Sequence, residues 1–184
     1  MEKYFIKTFG CQMNHSDSER IAAVLENNGL KATSNINEAD FVVFNTCGVR
    51  QMAEDRVYGQ VHNLKTHSAK HVTIILTGCL ANRKDVQRRL GTKVDLFTEI
   101  KDFPVSIKCL FDKGGRNQYQ RDYLKIIPKY KNDFQAYIPI MTGCNNFCSY
   151  CIVPYARGRE ECRNIAEILD EVKRAVKRGA VEIN

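Results

Sequence analysis

The chain of 184 residues contains no run of about 18 apolar residues, so no segment is long enough to cross a bilayer as a helix. Met1 to Phe9 passes straight into a strand-like run without the apolar core of a secretory signal, which makes the cytoplasm the expected compartment. There is no Walker loop, no G-x-G-x-x-G and no nucleophile elbow, which removes three common nucleotide-binding and hydrolase signatures. Histidine is scarce and unpatterned. His62 and His67 fall near the exposed end of a helical stretch, His71 precedes a strand and His15 a helix cap, so none is assigned a metal or catalytic role. Internal repeats and low-complexity segments are also missing.

What is present is a globular composition, with 43% hydrophobic and 27% charged residues. The length suits one ordinary domain and part of a second. The formal charge is +7, which fits a nucleic-acid partner. Most of the excess lies between Lys101 and Lys131, where eight Lys/Arg (Lys101, Lys108, Lys113, Arg116, Arg121, Lys125, Lys129, Lys131) face only Asp102, Asp112 and Asp122. A solvated linker and an RNA-facing segment both account for such a stretch.

The first hundred residues alternate strand and helix signals. Tyr4–Phe9 is a short β-rich run. Ser16-Asp17-Ser18-Glu19 has the pattern of a capping box, followed by Ile21, Val24 and Leu25 on one helical face and Gly29 as a stop. Phe41–Phe44 is a continuous apolar run, as expected of a strand covered on both faces, and Val72–Leu76 is another buried-strand run. Helical spacing links Ala53, Val57, Val61 and Leu64, a polar helix is expected over Lys84 to Leu90, and Val94–Phe97 is a candidate last strand. This is the pattern of an α/β domain with a mostly parallel sheet over residues 1–97.

Residues 98–133 read as a basic linker broken by Gly114-Gly115 and Pro128. A second unit follows over 134–184. Phe134–Met141 is strand-like, Gly143–Arg163 is a cysteine-bearing loop, and Ile165, Ile168, Leu169, Val172 and Val176 form a helical stripe ended by Gly179. One βα unit and the strand start at Val181–Asn184 cannot bury that stripe alone, so a fragment of a longer protein is expected.

Eight cysteines in a chain expected in a reducing compartment point to metal ligation or catalysis before disulfides. Cys144, Cys148 and Cys151 form a C-x3-C-x2-C loop directly after a strand. Three thiolates so close must share a metal centre or repel. A structural zinc site would need a fourth protein ligand, from Cys162 or a histidine. An iron–sulfur cube accepts three cysteines and leaves one iron open. The other triplet is dispersed: Cys11, Cys47 and Cys79 each fall just past the end of a predicted strand. In a parallel sheet those ends share the edge where ligands bind, so the three converge if the strands are neighbours. Three ordinary buried small residues are the alternative. Cys109, beside Ile107, Leu110 and Phe111, reads as a core or interface cysteine, and Cys162 as no ligand.

Gly143–Gly158, GCNNFCSYCIVPYARG, resembles the cluster loop of the radical S-adenosylmethionine methylthiotransferases. TFGCQMN around Cys11, Asn45-Thr46-Cys47 and Thr77-Gly78-Cys79 resemble that family's three auxiliary-cluster segments, in order and across nearly the whole chain. The resemblance implies a flavodoxin-like N-terminal domain followed by the first βα unit of a radical S-adenosylmethionine (βα) barrel. It implies a 4Fe–4S cluster on Cys144, Cys148 and Cys151 that binds S-adenosylmethionine and generates a 5′-deoxyadenosyl radical, with Tyr150 near the adenine. It also implies a second 4Fe–4S cluster on Cys11, Cys47 and Cys79 that presents sulfur, and a second S-adenosylmethionine that supplies the methyl group. The implied partners are tRNA at its anticodon stem-loop and an electron donor such as flavodoxin or ferredoxin.

Gln12 and Met13 with the downstream Asp17-Ser18-Glu19, and Asn45–Arg50, resemble the branch that modifies N6-isopentenyladenosine. Methylthiolation of threonylcarbamoyladenosine or of a ribosomal-protein aspartate is the enzymatic alternative. An iron–sulfur or zinc-binding RNA-binding module is the non-enzymatic one. Cys162-Arg163-Asn164 departs from the serine, arginine and proline common at that place in the family, although Asn164 with Glu167 can still cap a helix. The fragment alone is expected to be inactive, since most S-adenosylmethionine contacts and the C-terminal RNA-binding domain lie beyond it in the family. Arg157 and Arg159 could face cofactor or phosphate, or simply pair with Glu160 and Glu161 in a solvated loop.

Overall fold

The computed structural model describes residues 1–49, 51–68, 70–111, 123–131 and 133–184. The Gly114-Gly115 break, the basic residues Lys113, Arg116 and Arg121, and Arg50 lie outside the described residues.

The first unit is a five-stranded sheet of β1 (Lys3–Phe9), β2 (Lys31–Ala32), β3 (Phe41–Thr46), β4 (Thr73–Gly78) and β5 (Leu96–Phe97). Their order is β2-β1-β3-β4-β5 and every pair is parallel. This is the flavodoxin-like doubly wound order, whose chain reversal falls between the first and third strands. The helices α1 (Gln12–Asn27), α2 (Gln51–His67), α3 (Lys84–Leu90) and α4 (Phe103–Phe111) cover the two faces.

Strand alternation sorts the core. Val42, Phe44, Ile74 and Leu76 point to one face and pack with Val57, Val61, Val86 and Leu90 of α2 and α3. Phe41, Val43 and Ile75 point to the other and pack with Ile21, Val24 and Leu25 of α1 and Phe103 and Ile107 of α4. Burying each such side chain stabilises the fold by about 1.5–3 kcal/mol. That is why the apolar runs at 41–44 and 74–76 are strands covered on both sides.

Three expectations need correction. The helix after β1 begins at Gln12, right behind Cys11, and Ser16–Glu19 lie inside it instead of capping it. Asn14 takes part of the capping role, its Oδ1 accepting the Cys11 N–H at 3.2 Å. Ser16, Asp17 and Glu19 are free for other partners and all three are buried. Secondly, residues 98–133 do not open as a linker: α4 seats Phe103 and Ile107 in the core, because its apolar residues recur at helical spacing. Its Cys109 points outward and is exposed, contrary to a core placement. Thirdly, the last strand is only Leu96–Phe97, and the expected strand over 134–141 is split into β6 (Gln135–Ala136) and β7 (Met141–Thr142).

In the second unit β6 pairs in parallel with β9 (Glu182–Ile183), and β7 in antiparallel with β8 (Glu161–Cys162). Between them run α5 (Val153–Arg157) and α6 (Ile165–Lys177). Asn164 caps α6, its Oδ1 accepting the Ala166 N–H at 2.8 Å. The covered face of α6 is Ile168, Glu171, Val172 and Ala175, while Ile165, Leu169 and Val176 are exposed. The apolar stripe is therefore only half buried within this chain.

The two units meet along α1. Arg20 and Glu171 pair at 2.8 Å with both side chains 1% exposed, and Arg163 closes on the same carboxylate at 2.7 Å. Ser16 donates its hydroxyl to the Tyr137 carbonyl at 3.1 Å, and the Lys131 N–H donates to Glu19 at 3.1 Å.

Candidate metal centres

Register places the dispersed cysteines. Phe9, Thr46 and Gly78 stand side by side at the carboxyl ends of adjacent strands β1, β3 and β4. Cys47 and Cys79 are the next residues, and Cys11 follows Phe9 by two. All three thus stand at the edge where open α/β sheets bind ligands, Cys11 as the residue before α1.

The turns are held by the motif residues around them. Thr46 accepts the Cys79 N–H on its carbonyl at 2.8 Å and donates its hydroxyl to the Thr77 carbonyl at 2.6 Å. Asn14 and Asn45 interlock: Asn14 Nδ2 donates to Asn45 Oδ1 at 3.1 Å, and Asn45 Nδ2 donates to the Asn14 carbonyl at 2.8 Å. Gly78 has φ +85°, and a Cβ there would stand 2.4 Å from the Thr46 carbonyl oxygen, so the approach of Cys79 to β3 requires glycine.

Cys47 and Cys79 are buried together, 2% and 6% exposed, whereas Cys11 is exposed with its thiol turned toward Asn14 Oδ1 at 3.4 Å. The Val49 N–H donates to Cys47 Sγ at 3.4 Å. Burial pushes the Cys79 thiol up, and the Arg157 guanidinium and the Gly48 N–H partly offset it by favouring the thiolate.

The compact triplet occupies the loop between β7 and α5. Gly143, at φ +74°, starts it at a point where a Cβ would lie 2.0 Å from the Arg159 carbonyl oxygen. The Cys144 N–H donates to the Gly158 carbonyl at 3.2 Å and the Cys151 N–H to the Cys148 carbonyl at 2.9 Å, which draws the loop into a closed turn. Cys148 is exposed, Cys144 and Cys151 are half-buried, and Tyr150 is 90% exposed.

The two cysteine-bearing loops come together at Gly48. A Cβ on Gly48 would be 3.2 Å from Cys79 Cβ and 3.5 Å from Cγ1 of Ile152, the residue after Cys151. Arg157, six residues past Cys151, is not a solvated partner of Glu160 or Glu161. Its side chain is 7% exposed and its Nη2 donates to Asp17 at 2.6 Å, while Arg159 is exposed. Tyr123 donates to the other Asp17 oxygen at 2.5 Å, and burial followed by the Asp17 charge holds its phenol well above the usual range. Arg157 Nη1 is buried and has no acceptor among the described residues. The link from Tyr123 through Asp17 to Arg157 is not legible along the chain. Asp17 was hidden by its fit to a capping box, and Tyr123 carries no local motif.

Among the described residues, no three Cys, His, Asp or Glu side chains surround a point that one metal ion could fill. A four-iron cube is larger and takes its thiolates at separate corners, so donor type and surroundings are the relevant tests. Both sets are cysteine only, and the first combines a dry pair of thiols with backbone N–H groups aimed at sulfur. That chemistry fits an iron–sulfur cluster, whose sulfurs accept hydrogen bonds.

A parallel, doubly wound domain with cysteines at its binding edge defines the class structurally. The family described as "Uncharacterized protein family UPF0004" matches residues 3–99, over half of the chain, and the chain belongs to it. It is 39% identical over 194 residues to a tRNA-2-methylthio-N(6)-dimethylallyladenosine synthase of Dictyoglomus thermophilum, covering 100% of this chain and 44% of that protein. Proteins of the same name from Finegoldia magna and Clostridium novyi are 41% and 39% identical, over 98% and 99% of this chain and 42% and 43% of theirs. The chain thus spans less than half the length of the curated relatives it matches. Among the described residues, no helix is long and apolar enough to cross a membrane.

Proposed function

We propose that the chain is the front part of a tRNA methylthiotransferase that converts N6-isopentenyladenosine beside the anticodon to its 2-methylthio derivative. The reading is supported by the names of relatives that match the chain from end to end. The observation that carries it is that Gly48, next to Cys47, lies against both Cys79 and Ile152, the residue after Cys151. In this reading Cys11, Cys47 and Cys79 hold the auxiliary 4Fe–4S cluster, and Cys144, Cys148 and Cys151 hold the one that binds S-adenosylmethionine. Tyr150 would stand near the adenine of bound S-adenosylmethionine. When bound, the clusters and S-adenosylmethionine supply radical generation and sulfur, chemistry that belongs to the cofactors.

The chain's own residues do the positioning. The strand ends set the spacing of Cys11, Cys47 and Cys79, and burial keeps water from Cys47 and Cys79. The second unit, beginning the barrel, is locked onto α1 by the Arg20–Glu171–Arg163 and Asp17–Arg157 pairs, which keeps the two sites adjacent. The partners in this reading are tRNA at its anticodon stem-loop and an electron donor such as flavodoxin or ferredoxin, in the cytoplasm.

The first test is iron and acid-labile sulfide per chain after anaerobic reconstitution, with and without Cys144/Cys148/Cys151→Ala. About eight irons falling to about four supports two three-cysteine cubane sites. Zinc in place of iron, or no loss in the variant, overturns the reading. The substrate is tested by incubating the full-length protein with tRNA carrying isopentenyladenosine or threonylcarbamoyladenosine. A mass gain of one SCH2 unit on the first alone is the expected result.

A further inference from the structure

The second unit reaches into the first site through one side chain. Arg157 ends α5, on the far side of the compact cysteine loop, yet its guanidinium lies between Asp17 of α1 and the Cys79 thiol. It is 7% exposed, which for an arginine is rare unless the charge has a purpose-built setting. Asp17, 0% exposed, holds Nη2, and Tyr123 holds the opposite oxygen of Asp17, so the carboxylate is fully engaged and cannot swing away. Nη1 is left as a buried donor with no acceptor among the described residues. A buried N–H that nothing accepts from has lost its water without a replacement partner, so such a donor is rarely left unmatched. The Cys79 thiol lies within reach of the same guanidinium, and Cys47 within reach of Cys79.

From this geometry we propose that Arg157 is a positioning residue of the Cys11/Cys47/Cys79 site, its Nη1 donating to sulfur of the cluster held there. The proposal rests on the reading that those three cysteines hold an iron–sulfur cluster. Asp17 and Tyr123 serve to aim the guanidinium. A positive charge and a hydrogen bond at cluster sulfur both favour the reduced state, whose sulfurs are more negative, and so raise the reduction potential. The same contact ties the potential to docking of the second unit, because Arg157 arrives only with α5.

The test uses the full-length protein carrying Cys144/Cys148/Cys151→Ala, so that one cluster remains, and follows it by iron content and a potentiometric titration read by electron paramagnetic resonance. Asp17→Asn/Arg157→Gln removes both charges at nearly constant volume and avoids stranding a carboxylate. Arg157→Lys keeps the charge without the planar donor. Ser16→Ala loosens the same interface away from Cys79. The double variant is expected to keep about four irons while its reduction equilibrium falls about tenfold, ~59 mV for a one-electron couple. Arg157→Lys is expected to show a smaller fall, and Ser16→Ala none. If the double variant loses iron that Arg157→Lys retains, the contact is likewise supported. An unchanged potential in the double variant, or an equal shift in Ser16→Ala, overturns the proposal. A parent that binds no iron overturns the cluster reading as well.

Discussion

Glu171 offers the sharpest test of how the two units are joined. It sits on the covered face of α6, 1% exposed, and accepts from Arg20 Nη2 on both oxygens at 2.8 and 3.0 Å. Arg163, 4% exposed, adds a second guanidinium at 2.7 Å. Glu171→Ala leaves two buried cations without their shared anion. Breaking a buried pair from one side costs about 3–5 kcal/mol, because the stranded charge has no water to replace its partner. At about 2–4 °C per kcal/mol for a chain of this size, the melting midpoint should fall by roughly 6–20 °C. Urea unfolding followed by circular dichroism gives the same quantity independently. Because the pair spans α1 and α6, protease cleavage within the second unit should accelerate before the sheet unfolds. A loss below about 1 kcal/mol, the range of an exposed ion pair, would refute the buried-network argument.

Gly78→Ala should be severe for its size: φ +85° and a Cβ 2.4 Å from the Thr46 carbonyl force β4 away from β3. The left-handed conformation alone costs about 1–2 kcal/mol, and iron bound per reconstituted chain should drop with the displacement of Cys79. The Asp40 carboxyl is held below its usual range, first by the Lys70 side chain and then by the Lys3 N–H. A depressed folded-state value means its contribution is present above the ordinary aspartate range near ~3.9 and is lost as pH falls through the folded value. Asp40→Asn should therefore flatten the acid limb of a stability–pH profile by no more than about 1 kcal/mol, the group being partly exposed. A limb unchanged by the substitution would remove Asp40 from the account. Cys109→Ser and Cys162→Ser, both at exposed positions, should leave iron per chain unchanged and stability within about 0.5 kcal/mol. Iron lost in Cys162→Ser would make it a ligand.

The sheet and the cysteine pattern were legible along the chain. Phe41–Phe44 and Ile74–Leu76 are apolar throughout, as strands covered on both faces are, and cysteines just past these two strands and Tyr4–Phe9 share an edge once the strands are parallel neighbours. Helix α6 was legible from its spacing and its Asn164 cap. The role of α1 was not. Ser16–Glu19 satisfies a local capping pattern, but Asn14 already serves the helix start, and the side chains of Ser16, Asp17 and Glu19 instead meet groups more than a hundred residues away. Likewise Glu171 interrupts an apolar stripe and looks like a surface residue until two arginines close on it. Arg157 lies in a charged stretch whose local reading is solvated, and only its pairing with Asp17 of α1 makes it a buried neighbour of Cys79. Hydrophobic periodicity is a local property written along the chain. The partner of a buried charge is set by where distant segments meet, so tertiary structure alone decided which polar residues join the two sites.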